Sequence, residues 1–180
     1  MKTLIINASH RKGNTDKITA KVKSLLKDNE VRELFLRDIE IKSPDGCAQC
    51  AEGELCPNIE DEFSKTIEPT IRDYDIYILA TPTWSDNVTP LTLIFWNRIV
   101  SWCHEDKEYL KDKKLAVITH GMAGQDSWVN VINWVKSVCS WEQCKFAGSF
   151  TCKTGGEVKD VEIDQGKLEN FVDTLLLKKT

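Results

Sequence analysis

The sequence predicts an α/β domain in which a parallel five-stranded sheet is covered by helices on both faces. Short apolar runs without polar alternation recur along the chain, as in strands that are buried on both faces. Segments with helical spacing of apolar residues separate these runs, and such alternation is typical of a parallel sheet. The 180 residues suffice for one domain, and no repeat or linker divides them, so we expect a single domain over residues 1–180.

The strands and helices follow from these two patterns in chain order. The predicted strands are 3–7, 31–36, 75–82, 114–121 and 145–150. The predicted helices are 14–28, 60–73, 90–102, 127–141 and 164–179. Pro90 stands in the first turn of its helix, where proline is favoured, whereas Pro69 interrupts the helix at 60–73. Right-handed crossovers between parallel strands then leave few topologies.

The composition argues against several classes of protein. Hydrophobic residues make up 41%, charged residues 29%, and the formal net charge is −4, which disfavours nucleic acid as the main partner. No apolar run approaches the roughly 20 residues of a membrane span, and the apolar start is too short for a secretory signal. Seven cysteines, an odd number, fit a reducing compartment, so we expect a cytoplasmic protein.

The turn SHRKGNT at 9–15 carries groups that suit an anion. It opens the first helix, whose N-terminus offers N–H groups and a partial positive charge. Ser9 and Thr15 add hydroxyl groups, Gly13 permits close backbone approach, and Arg11 supplies a charged fork. Asn14 or Thr15 could equally serve only as a helix cap. Because neither G-x-x-x-x-G-K-[ST] nor G-x-G-x-x-G occurs, the remaining ligand is a mononucleotide.

The segment TPTWSDN at 81–87 follows the third strand and carries an aromatic residue. Pro82 stiffens this turn, and Trp84 offers a wide face on which a planar ligand could stack. The alternative is that Trp84 packs against a helix or a second subunit, since aromatic residues are also enriched at interfaces. Trp96, Trp102 and Trp134 lie on predicted helices, where core or subunit packing is the better interpretation.

The motifs NASHRKGNT, CAQCAEGELC, ATPTWSDN and NRI, in this order, resemble the flavodoxin-like NADPH-dependent FMN reductases, most closely their iron–sulfur flavoprotein branch. The resemblance covers most of the chain and implies a flavodoxin-like, doubly wound sheet with strand order 2-1-3-4-5. It implies an oxidoreductase that passes electrons from NAD(P)H through FMN to a small-molecule or protein acceptor. The alternative is an FMN-containing electron carrier that a partner protein reduces. Self-association as a homodimer or homotetramer is also implied.

The resemblance further implies which residues would hold FMN. Those at the phosphate would be Ser9, Arg11, Asn14 and Thr15. Those around the isoalloxazine ring would be Pro82, Thr83, Trp84, Ser85, Asn87, His120, Gly121 and Gly124. A strand-end histidine bonded to backbone is the alternative for His120. Arg98 matches the arginine of a family helix, but Leu93 and Asn97 replace its lysine and aspartate, which weakens any role carried over to this helix.

The cysteine pattern C-x2-C-x5-C consists of Cys47, Cys50 and Cys56 in a loop at about 43–58. The iron–sulfur branch has C-x2-C-x2-C and a fourth cysteine, and Gly53 stands where the third would be. Because cluster ligation normally uses four thiolates, this chain matches three of them. Four alternatives stay open: a cluster completed by another ligand such as Cys103 or Cys152, a zinc site, a redox-active C-x2-C pair, and a loop without metal. The surrounding acidic residues would raise thiol pKa values.

Overall fold

The computed structural model describes residues 1–49, 60–99, 110–155 and 161–177. These residues contain a five-stranded sheet in the order β2-β1-β3-β4-β5, and every neighbouring pair is parallel. The strands are β1 (Lys2–Asn7), β2 (Glu30–Phe35), β3 (Ile76–Pro82), β4 (Lys114–Gly121) and β5 (Lys145–Lys153). The predicted fold class and strand order are therefore confirmed.

Helices connect the strands within the described ranges. They are α1 (Asn14–Leu25), α2 (Glu68–Ile71), α3 (Pro90–Ile99), α4 (Gln125–Trp141) and α5 (Gln165–Leu176). A π-helical segment, Phe63–Ile67, precedes α2, and the N–H of Glu68 donates to the carbonyl of Phe63 five residues earlier. Pro69 has no N–H and cannot continue an α-helical ladder, so the predicted helix at 60–73 divides into a π-helical and an α-helical part.

The two faces of the sheet carry separate apolar clusters. On one face β3 contributes Ile76 and Ile78 to a cluster with residues of α1 and α5. On the other face Tyr77 and Leu79 join residues of the π-helical segment, α3 and α4. Burial of both faces explains why the inner strands β1, β3 and β4 are nearly continuous apolar runs. On the second face Trp96 packs edge-on against Trp134, with ring centroids 5.9 Å apart, as expected for core tryptophans.

Strand β5 is longer than the sequence indicated, and this affects the edge of the sheet where the strands end. It continues through Lys153, although residues 151–153 are not an apolar run. A register shift opposite Leu115 and Ala116 accompanies a positive φ of 125° at Gly148. The bulge leaves the last residues of β5 paired with His120 and Gly121 at the end of β4.

The carboxyl ends of β1, β3, β4 and β5 meet at one edge of the sheet. Strand β1 lies between β2 and β3. The connection after β1 runs to one side of the sheet, and the connection after β2 runs back past β1 to the other side. In open parallel sheets ligands bind at such a switch point. Within the described ranges no helix is long and apolar enough to cross a membrane.

Candidate functional site

A cleft of about 390 Å³ opens at this edge of the sheet. The residues that line it are Ser9, His10, Arg11, Asn14, Thr15, Pro82, Thr83, Trp84, His120, Gly121, Met122, Thr154 and Gly155. They come from the carboxyl ends of β3 and β4 and from the segments that follow β1, β3, β4 and β5. The volume falls within the range of small-molecule sites, about 300–1,000 Å³.

The cleft brings together most of the residues that the sequence placed there, with three exceptions. Ser85, Asn87 and Gly124 do not line it. His10, Met122, Thr154 and Gly155 line it although the sequence did not single them out. Thr154 and Gly155 begin the Gly-rich segment that follows β5. Because ligands bind beyond the carboxyl ends of the strands in such sheets, the position of this segment after a strand could have identified both residues.

The turn after β1 is shaped by the side chain of Ser9. Its buried hydroxyl donates to the carbonyl of Arg11 at 2.8 Å and accepts a longer bond from the Arg11 N–H at 3.4 Å. The N–H of Ser9 donates to Oδ1 of Asn7 at 3.2 Å. These contacts fold the turn so that the exposed Arg11 side chain stands at the cleft.

Two residues of the first turn of α1 are buried at the cleft. The amide oxygen of Asn14 accepts the N–H of Val161 at 3.2 Å and thereby holds Val161 beside α1. Thr15 Oγ1 lies 2.8 Å from Nε2 of His120. The first N–H groups of a helix have no intrahelical acceptor, and the dipole favours an anion beside them. His120 therefore faces the N-terminal end of α1 through this ring nitrogen.

The loop after β3 is a two-residue turn with strained backbone. Trp84 and Asn87 exchange N–H···O bonds of 2.9 Å each, and Ser85 and Asp86 between them have φ angles of 46° and 60°. This is the pattern of a type I′ turn, which usually carries asparagine and glycine. Ser127 at the start of α4 donates a hydrogen bond to the Asp86 carboxylate. Ser85 and Asn87 thus shape the loop that presents Trp84.

Trp84 presents its ring at the mouth of the cleft. Its side chain is 48% exposed, which is unusual for a residue of this size. The imidazole of His10 stacks on it, with ring centroids 4.6 Å apart and an interplanar angle of 21°. The two rings come from the turns after β1 and β3, so the site already pairs two planar groups across the switch point.

The approach of the loops after β3 and β4 leaves no room for a side chain at Gly121. The N–H and the hydroxyl of Thr83 both donate to the carbonyl of His120, at 2.9 and 3.2 Å. A Cβ atom on Gly121 would lie 1.9 Å from the Thr83 hydroxyl oxygen. Gly124 has a φ of 83°, a conformation that favours glycine, and it precedes α4 outside the cleft.

The cysteine loop lies largely outside the described residues, as do Cys50, Cys56 and Cys103. Cys47 is exposed, and its N–H donates to Asp45 at 3.0 Å; this bond and one from the thiol lower the pKa of Asp45. Cys152 is buried on the face covered by α1 and α5, and burial raises its pKa to about 12. Leu36 and Phe63, which precede and follow the loop in the sequence, are buried on the opposite face. Cys152 as a further ligand stays a prediction. Within the described ranges no group of three or more His, Cys, Asp or Glu residues is arranged to hold a metal ion.

Arg98 lies away from the cleft and anchors the base of this loop. Its guanidinium forms a buried ion pair with Asp61, and it also donates to the carbonyl of Lys42 at 3.0 Å and to Ser64 at 2.6 Å. Burial would raise the pKa of Asp61, but hydrogen bonds from Arg98 and from the N–H groups of Lys42 and Ser64 outweigh it and lower that pKa to about 2. Arg98 therefore joins α3 to both sides of the loop.

Comparison with protein families decides the assignment of the chain. The family of NADPH-dependent FMN reductases matches residues 1–142. The chain belongs to this family. It is a flavin reductase-like oxidoreductase, as the sequence predicted, whereas membership of the iron–sulfur branch stays a prediction. A comparison with curated proteins returned no match.

Solved structures of family-like proteins have the same fold. The Trp repressor binding protein from Bacillus subtilis is 18% identical, with a TM-score of 0.67, covering 99% of this chain and 100% of that one. An FMN-dependent NADH-azoreductase from Bacillus anthracis, solved with FMN, is 13% identical, with a TM-score of 0.65, covering 97% and 96%. An NADH:FMN oxidoreductase (EMOB) in its apo form is 16% identical, with a TM-score of 0.63, covering 99% and 91%. The structural likeness therefore covers β5 and α5 as well, which lie beyond the family match at residues 1–142.

Proposed function

We propose that the chain binds FMN in the cleft and uses it to pass electrons from NAD(P)H to an acceptor. One observation carries the proposal. The anion-binding turn at the start of α1 and the aromatic loop after β3 open into the same cleft, and the bond between Thr15 and His120 connects that turn to the end of β4. A ligand with a phosphate at one end and a planar ring at the other fits this arrangement.

The phosphate would lie at the first turn of α1. Arg11 offers a permanent charge there, Thr15 a hydroxyl group, and the helix its first N–H groups. The hydroxyl of Ser9 already donates to Arg11, so we assign Ser9 to shaping the turn and to accepting rather than donating further bonds. Asn14 would hold Val161 beside the first turn of α1.

The ring would lie between Trp84 and the end of β4. Trp84 would stack against it, Pro82 and Thr83 would border it, and the backbone around Gly121 would face its edge, where donors stabilise negative charge. Flavins accept a hydride from NAD(P)H and return electrons to acceptors singly or in pairs. The work left to the chain is to bind, orient and shield the ring, which is consistent with a cleft whose described residues include no paired acid and base.

A reductase is favoured over a carrier by the family assignment and by two structural neighbours, an FMN-dependent NADH-azoreductase and an NADH:FMN oxidoreductase. The acceptor would be a small molecule or a redox protein. Self-association as a homodimer or homotetramer and a cytoplasmic location remain predictions from the sequence.

The deciding experiment is a visible spectrum of the anaerobically purified protein, followed by addition of NADH or NADPH. We expect the bands of oxidised flavin, bleached by one of the two donors at a catalytically useful rate. Flavin that bleaches only with a partner reductase would assign the carrier role instead. A colourless protein that FMN does not reconstitute would overturn both assignments.

The phosphate site has its own test in Arg11→Ala. We expect the dissociation constant for FMN to rise about tenfold or more, since a charge-assisted bond contributes about 1.5–3 kcal/mol. Arg32→Ala is the matched control, because Arg32 bonds to Thr70 on the face of the sheet away from α1. Unchanged affinity in Arg11→Ala would remove Arg11 from the phosphate site.

The cysteine loop carries a separate proposal, a four-iron cluster on Cys47, Cys50 and Cys56 with one ligand from elsewhere. It rests on the three-cysteine pattern, and only Cys47 of the three is among the described residues. Iron and acid-labile sulfide analysis of the same anaerobic sample tests it. About four of each per chain would support the cluster, zinc alone would assign a zinc site, and neither metal would leave a loop of thiols.

A further inference from the structure

A network of charged and polar side chains lies beneath the turn at 9–15, outside the cleft. Its centre is the Asp16 carboxylate in the first turn of α1. One oxygen accepts Nδ2 of Asn7 at 2.8 Å and Nη1 of Arg37 at 2.9 Å, and the other accepts the N–H of Gly13 at 3.1 Å. Asp16 thus holds three parts of the molecule that surround the turn: the end of β1, the turn itself and the segment after β2.

The network extends to a second carboxylate. Glu33 on β2 accepts the hydroxyl of Thr19 at 2.7 Å and Nδ2 of Asn7 at 3.3 Å. Asn7 in turn accepts the N–H of Ser9, the residue that shapes the turn. The hydrogen-bonded side chains beneath the turn therefore include two carboxylates and one guanidinium, and the exposed Asp38 carboxylate lies 3.9 Å from Nε of Arg37.

That positive charge, Arg37, is held in a fixed position. Its side chain is only 10% exposed, and its guanidinium lies over the ring of Phe35, 4.5 Å from the centroid. Burial makes the pairing with Asp16 count for more than a surface ion pair would, because water screens it less.

The position of Asp16 creates an electrostatic conflict for a phosphate site. A carboxylate in the first turn of a helix interacts favourably with the helix dipole, but it repels an anion bound at the same N-terminus. With Arg37 present, the charge of Asp16 is offset and its oxygens are occupied by donors. Without Arg37, two uncompensated carboxylates would lie beneath an anion-binding turn.

We propose that Arg37 is a positioning residue for the flavin phosphate, which it does not touch: it neutralises Asp16 and fixes the network that shapes the turn. The inference rests on the proposed binding of FMN in this cleft. It assigns a role in phosphate affinity to a side chain that lies after β2, outside the residues that line the cleft.

The test compares FMN with riboflavin, which has the same ring but no phosphate. Dissociation constants are measured for wild type and for Arg37→Met, which retains an apolar stem over Phe35 but removes the charge. We expect Arg37→Met to weaken FMN about tenfold, the equivalent of about 1.4 kcal/mol, and riboflavin by less than about twofold. A role in folding alone would weaken both ligands alike.

Compensating variants sharpen the comparison. Asp16→Asn in the Arg37→Met background removes the unpaired charge, and we expect it to recover most of the lost FMN affinity. Arg37→Lys keeps the positive charge and should retain most of the wild-type affinity for FMN. Arg32→Met is the matched control on β2, and its ratio of FMN to riboflavin affinity should equal that of wild type.

The outcomes separate this inference from the proposed function. If wild type binds FMN more tightly than riboflavin and Arg37→Met keeps the same ratio, Arg37 has no such role although the FMN site stands. Equal losses for both ligands would also overturn the inference. If wild type shows no preference for FMN, no phosphate is bound at this turn, and both the site and the role of Arg37 are wrong.

Discussion

Thr15 Oγ1 and His120 Nε2 lie 2.8 Å apart, and this hydrogen bond joins the first turn of α1 to the end of β4 across 105 residues of sequence. Both side chains are buried at the cleft. A hydroxyl group has one proton to donate. If His120 carries its proton on Nε2 and donates it to Thr15, the hydroxyl proton of Thr15 is available to an anion. If Nε2 is unprotonated, Thr15 donates that proton to the imidazole instead.

We expect Thr15→Val to raise the dissociation constant for FMN about tenfold or more while leaving riboflavin much less affected. The substitution keeps the shape of the side chain and removes the hydroxyl, and bonds to charged groups contribute about 1.5–3 kcal/mol. Titration of flavin fluorescence measures both constants. Ser24→Ala is the control, since Ser24 lies on the same helix, is exposed and donates to the carbonyl of Lys21. Equal losses for FMN and riboflavin would place Thr15 outside the phosphate site.

Gly121→Ala tests the approach of the loops after β3 and β4. The new methyl group would lie 1.9 Å from the Thr83 hydroxyl oxygen and 3.3 Å from its Cβ, so the loop after β3 must shift. We expect the free energy of unfolding to fall by about 1–3 kcal/mol, as for other overpacked sites, and flavin affinity to fall with it. Denaturant unfolding and flavin titration measure the two effects.

Two further variants make the Gly121 prediction specific. Thr83→Ala in the Gly121→Ala background removes the nearest atom, and we expect it to recover part of the stability. Gly166→Ala is the matched glycine control: a Cβ there would lie 3.7 Å from Asp164, an ordinary contact, in the first turn of α5. A Gly121→Ala protein as stable as Gly166→Ala would contradict the close packing of Gly121 against Thr83.

The fold could be predicted almost completely from the sequence, because strands that are buried on both faces of the sheet consist largely of apolar residues. Runs such as that in β3 contain no alternation, and the helices between them have clear apolar faces. The end of β5 was missed since Thr151, Cys152 and Lys153 are not an apolar run, although the ladder with β4 continues through them. Hydrogen bonding of the backbone, not side-chain type, determines that boundary.

The site was predictable where one residue type implies one role, and less so where roles depend on neighbours. Thr15, Trp84 and Gly121 line the cleft as expected, because strand ends fix their place. Ser85 and Asn87 instead shape a turn, which only the φ angles of the loop reveal. Arg37 could not be connected with Asp16 from sequence, since their proximity depends on how the segment after β2 meets α1.

Trp84→Leu should weaken FMN and riboflavin to the same extent, in contrast to the variants at the phosphate end. Trp84 is half exposed and offers its ring at the cleft, so its contribution would come from stacking rather than from charge. An aromatic stack on a heterocycle contributes about 1–3 kcal/mol, so we expect both dissociation constants to rise about tenfold. Trp141→Leu is the control, because Trp141 is 85% exposed at the far end of α4. A loss confined to FMN would show that the ring does not lie against Trp84.

The ion pair of Arg98 with Asp61 predicts an acid-sensitive contribution to stability. Both side chains are buried, and removing one member of a buried pair costs about 3–5 kcal/mol, so Asp61→Asn should lower the free energy of unfolding by that amount at neutral pH. Glu60→Gln is the matched control, because the neighbouring Glu60 pairs with Lys65 in solvent, and its unfolding midpoint should stay near that of wild type.

The contribution of the Asp61 carboxylate to stability should decrease as the pH falls. The folded pKa of Asp61, about 2, lies below the ordinary 3.8, so folding favours the ionised carboxylate. The stability that ionisation contributes is fully present above the ordinary pKa and is lost as the pH falls from 3.8 towards 2. Asparagine does not titrate in this window, so urea unfolding at a series of pH values should show the gap between wild type and Asp61→Asn narrowing there. A gap that stays constant through the window would mean that Asp61 is not held ionised by Arg98.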